Sequence, residues 1–335
     1  MGSLIAYAIF AGHSFVDAAS ATSPADILFS LPIACIPGQS CWVANHVDVD
    51  PDSSAKDFAC GHRTYDGHNG TDFALRDLGV MRQGVDVLAA ADGIVAGVRD
   101  GMDDTDFRDL KPDLIKGREC GNGVKLEHTN GWTSQYCHLR KGSVVVRKGQ
   151  RLAVGERLGK VGLSGKTIFP HLHFQVEHQS RVIDPFIGRA RQEVCGDISG
   201  QLWRDSIQTQ LRYQPVVIYN AGVSFRVPNI DAIRDGRGGN ELTPINPAEI
   251  YLWADLLGVE AGDEVAYSLR DVDGRPLFEK RLRLTERKAR QFLYVGKTLS
   301  QGTRSNVNFV GTIRVVRRDS DAVVSDTVAV ESKRR

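Results

Sequence analysis

The chain has 335 residues, 42 Lys plus Arg against 41 Asp plus Glu, 41% hydrophobic residues, nine His and six Cys. That length predicts about two domains with enough apolar material for true cores, which excludes a disordered chain. A formal charge of +1 gives no general attraction to nucleic acid or to an anionic membrane surface, so neither is expected as a partner. With 34 Gly and only three Met, the composition leans toward short strands and turns, an all-β or β-rich fold.

Residues 1–21 read as an export leader. An apolar stretch runs from Leu4 to Gly12 and Ala19-Ser20-Ala21 has the small-x-small pattern of a cleavage site. The stretch before it lacks Lys and Arg, and Asp17 sits close to the cut, so a misplaced start codon is the alternative reading. No apolar run is long enough for a transmembrane segment. Cys35, Cys41, Cys60, Cys120, Cys137 and Cys195 form an even set without C-x-x-C spacing, which fits disulfides in an oxidising, periplasmic or extracellular compartment. Cys35 and Cys41 can close a small loop; the other four allow three pairings. Residues 22–59 form a separate N-terminal segment. Its Asn45 and the NHVDVDP stretch are candidates for an inhibitory flap over a cleft.

From Val85 onward the chain reads as antiparallel hairpins. VDVLAAADGIVAGV has strand-like runs on either side of Asp92-Gly93, and GVKLEHTNGWTSQYCHL repeats the device around Asn130-Gly131. Glycines at 149, 155, 159, 162 and 165 predict a further hairpin of short strands rather than a helix. Residues 100–119 are an Asp-rich insertion that lacks the Gly and Glu of a calcium loop, and are expected to be a solvated loop bordering a cleft. The expected boundaries are a domain over 60–195, a linker over 196–212 and, over 213–331, an immunoglobulin-like β-sandwich built from seven or eight short strands with a turn at Asp273-Gly274. That last part contains no His and no Cys, hence no visible catalytic kit.

Three segments carry the chemistry. GHNGTDFAL holds His68 and Asp72 four apart, in a loop that enters a strand, where an imidazole and a carboxylate can reach one divalent ion. FPHLHFQVE reads as a strand, so His171 and His173 share one face while Leu172 and Phe174 face the core. SQYCHLRKG is read with Tyr136 and His138 on one face and Cys137 on the other. Glu177 receives no catalytic role. His128 is read as packing or turn hydrogen bonding, and His13, His46, His62 and His178 as surface or structural.

Taken together, H-x-x-x-D, then Tyr-x-His-Leu, then H-x-H, in that order, resemble the lysostaphin/LytM-type zinc metallopeptidases, a family of peptidoglycan-cleaving endopeptidases. The flanking GNGVKLEH and PHLHFQVE with DPF downstream are similar too, and the resemblance spans about residues 60–187. The turn GLSGKTIFPHLHF departs from the shorter Thr-Gly-rich turn of relatives. The resemblance implies an all-β fold, an antiparallel metallopeptidase domain followed by the sandwich, with Zn2+ held by His68, Asp72 and His173. It also implies that His138 and His171 lie unliganded beside the metal, one accepting a proton from water and the other stabilising the oxyanion. Peptidoglycan peptide is then the substrate, with a wall or protein partner for the sandwich. The competing reading is a non-catalytic LytM-like module that activates a cell-wall amidase. Such modules have lost metal ligands, whereas all five residues are present here.

Overall fold

The computed structural model describes residues 27–190, 195–196, 200–238, 248–271, 273–300, 309–319 and 322–331. The expected leader over 1–21 and His13 lie outside the described residues. Strands dominate. The first part contains β1 (Cys41–Asn45), β2 (Thr71–Leu75), β3 (Asp86–Leu88), β4 (Gly93–Arg99), β5 (Asn122–Glu127) and β6 (Trp132–Leu139). It continues with β7 (Arg151–Leu152), β8 (Arg157–Lys160), β9 (His171–His178), β10 (Arg181–Asp184) and β11 (Arg189–Ala190). One antiparallel sheet runs β1-β2-β9-β6-β5-β4-β7, with β10 and β11 hairpinned onto β9, and β3 pairs β8 separately.

The two predicted hairpins fare differently. β5 and β6 pair through the Asn130-Gly131 turn, as expected, with Asn130 at φ 57°. The strands flanking Asp92-Gly93 do not pair with each other: β3 pairs β8, and β4 pairs β5 and β7. Likewise β7 and β8 diverge to different partners. The reason is competition for burial. Val87 and Leu158 are fully buried in the β3–β8 pair and Val95 on β4 is buried against the main sheet, so pairing with distant strands buries more apolar surface than local closure would.

The buried core reaches past two of the expected boundaries. Phe29 and Ile33 from the N-terminal segment and Leu202, Trp203 and Leu211 from the expected linker belong to the same buried cluster as Phe73, Leu172 and Phe174. The periodicity was strongest in the central strands, but the sheet needs β1 on its edge and Trp203 over its face to exclude water. Three disulfides staple this unit: Cys35–Cys41, which closes the small loop as expected, Cys60–Cys195 and Cys120–Cys137.

The C-terminal part has two antiparallel sheets. β12 (Val217–Ser224), β13 (Glu249–Val259) and β16 (Lys288–Thr298) form one, and β14 (Glu264–Asp271), β15 (Pro276–Arg283), β17 (Phe309–Asp319) and β18 (Ala322–Glu331) form the other. β14 and β15 meet across the Asp273-Gly274 turn. Ile250, Leu252 and Leu256 of one sheet share a core with Val265, Tyr267, Ile313 and Val315 of the other, the two-layer logic of a sandwich. A smaller apolar cluster joins the two parts: Trp42, Ala44 and Ala74 meet Val217, Tyr219 and Leu257. The buried Arg63 guanidinium bridges them as well, donating to the carbonyls of Val43, Ala44 and Gln214. Among the described residues, no helix is long and apolar enough to cross a membrane.

Just beyond β1, the His46 ring lies buried among Phe58, Phe186 and Tyr213. It is structural, as expected, but not on the surface. Burial pushes its pKa down from 6.5 to about 3, against the opposing pull of Asp57. The fold therefore holds this imidazole neutral, and between pH 6.5 and 3 the unfolded chain binds a proton that the folded chain does not. Its stabilising contribution is full above pH 6.5 and falls as pH drops. In urea titrations, wild type should lose stability relative to His46→Phe by up to about 1.4 kcal/mol per pH unit below pH 6; parallel curves would contradict this. Loop length ranks the disulfides. Removing Cys60–Cys195, whose partners are 135 residues apart, should destabilise more than removing Cys35–Cys41, 6 apart, about 5 against about 2 kcal/mol by chain entropy. Urea midpoints of the paired Cys→Ser variants check the order.

Candidate metal centre and cleft

Asp72 is the second residue of β2, and its register partner on β9 is His173. Side chains directly opposite on adjacent strands are close neighbours, so the pairing alone brings a carboxylate and an imidazole together. His173 Nδ1 lies 2.9 Å from Asp72 Oδ1. His68 enters from the loop before β2 and sets its Nε2 3.2 Å from the same oxygen and 3.2 Å from His173 Nδ1. Gly70 makes that approach possible, because a Cβ there would lie 2.7 Å from the His173 ring. Leu172 and Phe174 are fully buried on the opposite face, as the alternation predicts.

Three donor atoms at 2.9 to 3.2 Å spacing suit a small ion. Tetrahedral zinc with ligands at about 2.0–2.1 Å requires donor-to-donor edges of roughly 3.3 Å. The donor set of two imidazoles and one carboxylate also matches zinc chemistry. Among the described residues, His68, Asp72 and His173 are the group whose donor atoms converge this way.

His138 arrives by a different route. Regular alternation would place it beside Tyr136. Instead Tyr136 faces the core, opposite Phe174, with its hydroxyl accepting from Ala90 N, while Cys137 opposes His173. The expected shared face of Tyr136 and His138 is thus incorrect. The physical cause is a bulge: Cys137 and His138 together oppose Gly123, and His138 takes a left-handed φ of 61°. That twist swings its ring to 4.6 Å from the His171 ring and 6.0 Å from the His173 ring, measured between centroids. His171 completes the group, with Nε2 at 3.4 Å from Asp72 Oδ1.

Hydrogen bonds to the backbone fix which nitrogen each ring offers. His68 Nδ1 donates to His46 O at 2.6 Å, His138 Nδ1 to Ser164 O at 2.7 Å, and His171 Nδ1 to Phe169 O at 3.0 Å. A carbonyl can only accept, so Nδ1 carries the hydrogen in all three rings and Nε2 presents its lone pair. Asp72 is oriented the same way: Oδ2 accepts from Asn45 Nδ2 at 2.8 Å, leaving Oδ1 to the histidines.

The electrostatics follow. Burial raises the Asp72 pKa, but the neighbouring His68, His171 and His173 outweigh it and hold the carboxyl well below its usual range. Burial lowers His68, yet Asp72 and the His46 carbonyl raise it on balance. His173 is lowered, by burial first, despite Asp72. His138 is pushed far below its usual value by burial and then by the neighbouring His171 and His173. It is therefore a neutral imidazole at ordinary pH.

His68, His138 and His173 line an open cleft together with Tyr65, Asn69, Glu119, Gln135, Lys166 and Gln175, among others. Glu119 and Cys120 bring the end of the Asp-rich insertion to its rim, in line with the expectation for residues 100–119. The NHVDVDP stretch does not cover the cleft. Asn45 and His46 brace Asp72 and His68 from behind, and no residue from 45 to 51 lines the opening. Glu177 is occupied by Lys125 and Thr133, and His128 by Asp92 O and Ser134. Sequence reading missed the supporting roles of Asn45 and Ser164. Both act through contacts far apart along the chain, and neither residue type in its local context signals them.

The segment that carries the site is similar to known proteins. Residues 66–185 match the model described as peptidase family M23. The chain is 32% identical over 117 residues to peptidoglycan DD-endopeptidase ShyA of Vibrio cholerae, covering 35% of this chain and 22% of that protein. It is 34% identical over 102 residues to cell division protein DipM of Caulobacter vibrioides, covering 30% and 14%. A crystal structure of a zinc-containing peptidase from Vibrio cholerae shares 26% identity with a TM-score of 0.28, over 42% of this chain and 38% of that one. The chain thus spans less than a quarter of the length of these two curated relatives. Within it, the segment that carries His68, Asp72, His138, His171 and His173 lies inside the match to the peptidase family M23 model.

Proposed function

We propose that the protein is an exported zinc endopeptidase that hydrolyses peptide bonds in peptidoglycan. The observation that carries this reading is the convergence of His68 Nε2, Asp72 Oδ1 and His173 Nδ1 at 2.9 to 3.2 Å, with the His138 and His171 rings beside them. A zinc ion held by these three residues would supply a Lewis acid and lower the pKa of water to near neutrality. The rest is work for side chains. His138 and His171, each with Nδ1 bound to a carbonyl, offer Nε2 as a proton acceptor. Once protonated, the same nitrogen becomes a donor that stabilises a scissile carbonyl oxygen as it gains negative charge. Three disulfides support an oxidising, envelope-side location. The intact ligand set favours an enzyme over an amidase-activating module.

Digestion of purified sacculi with product analysis tests this. Wild type should release peptide-cleaved fragments, a chelator should abolish release, and His171→Ala should lower it at least about 100-fold while one zinc per chain is retained. Hydrolysis that survives both treatments sinks the zinc mechanism; zinc-loaded protein that cleaves nothing favours the regulator. Asn45 acts on the metal through Asp72. Asn45→Ala should weaken zinc binding about 10- to 100-fold in competition with a chromophoric chelator, and unchanged affinity would show that the carboxylate needs no such clamp.

A further inference from the structure

We infer that Lys166 is a specificity-determining residue that recognises a carboxylate on the substrate residue next to the scissile amide. The inference rests on the endopeptidase reading above. Lys166 is the one Lys or Arg among the residues lining the cleft. Its side chain is exposed, and its backbone is fixed more tightly than its exposure suggests. Its own N–H donates to Glu119 O at 2.8 Å. Gly165, just before it, has φ 87°, and a Cβ there would meet Glu119 O at 2.4 Å, so this turn tolerates one conformation.

The neighbours of Lys166 also tie it to the reacting centre. Ser164 accepts the His138 Nδ1 hydrogen through its carbonyl. Thr167 Oγ1, whose own hydrogen goes to Phe169 O at 2.8 Å, sits 3.1 Å from His171 Nδ1. Residues 164–167 therefore hold both unliganded histidines, and Lys166 projects from between the two anchor points. The acid on the same wall, Glu119, accepts at Oε1 from Gly117 N at 3.0 Å and has Lys166 and Arg99 as charged neighbours. Across the cleft, the floor beyond His173 is the register pair Gln135 and Gln175, amide groups suited to a peptide backbone and carrying no charge. A cation carried on a backbone anchored beside the two histidines, with uncharged amides on the floor, selects a peptide with an anionic group there.

The test uses the zinc-loaded full chain and two soluble cross-linked muropeptides, identical except that the carboxylate beside the scissile amide is free in one and amidated in the other. Wild type should prefer the free carboxylate about tenfold in kcat/KM, with the preference shrinking as salt is added. Lys166→Met should bring the ratio close to one, Lys166→Glu should invert it, and Lys166→Arg should keep it, all at unchanged zinc content. A wild-type ratio of one, or a preference that survives in Lys166→Met, overturns the assignment. If wild type cleaves neither substrate, the endopeptidase reading falls instead. Calorimetric titration of the same two peptides then decides for Lys166: the tenfold difference in Kd must be present in wild type and absent in Lys166→Met, and equal affinities refute it.

Discussion

Everything in the cleft depends on which imidazole nitrogen faces inward. Three backbone carbonyls, those of His46, Ser164 and Phe169, each take the Nδ1 hydrogen of one histidine. An imidazole free to choose its tautomer would spend part of its time presenting an N–H rather than a lone pair at Nε2. The fold removes that freedom before any ligand arrives, which is the sense in which the site is preorganised. Because carbonyls are main-chain groups, side-chain substitution at those three positions leaves the acceptors in place. The backbone path matters more than the residue type.

Much of this was legible in the sequence, and the boundary of legibility is physical. The i, i+2 pair His171 and His173 follows directly from strand periodicity, and Leu172 and Phe174 face the core as that periodicity demands. The donor atoms of His68, Asp72 and His173 lie together, with the rings of His138 and His171 beside them. His138 was placed on the right strand but the wrong face, since a bulge and a left-handed φ depend on what lies opposite, here Gly123. The hairpin at Asp92-Gly93 failed for a related reason: a good local turn signal lost to strand pairings made over longer distances. Asn45 and Trp203 were opaque because their partners are far away in sequence and nothing about an isolated Asn or Trp names them.

The extent of the folded unit differs from the extent of the recognisable motif. The family match begins at residue 66, yet the carboxylate is aligned by Asn45, and the sheet is finished by β1 and covered by Phe29 and Trp203. The segments flanking the match complete the domain, and in doing so they also dock the C-terminal sheets, since Trp42 and Ala44 on β1 meet Val217 and Tyr219. One strand thus serves the Asp72 carboxylate with one end and the neighbouring sheets with its outer face.

The Cys120–Cys137 bond sits at the base of the bulge that turns His138 inward, and the His138 N–H donates to Cys120 O at 2.8 Å. Cys137 is also the residue opposite His173. The covalent link therefore joins the rim of the cleft to the strand that carries His138 and lies opposite His173. The position of His138 thus rests on thiol oxidation as well as on strand pairing: without the Cys120–Cys137 bond the bulge loses its covalent brace.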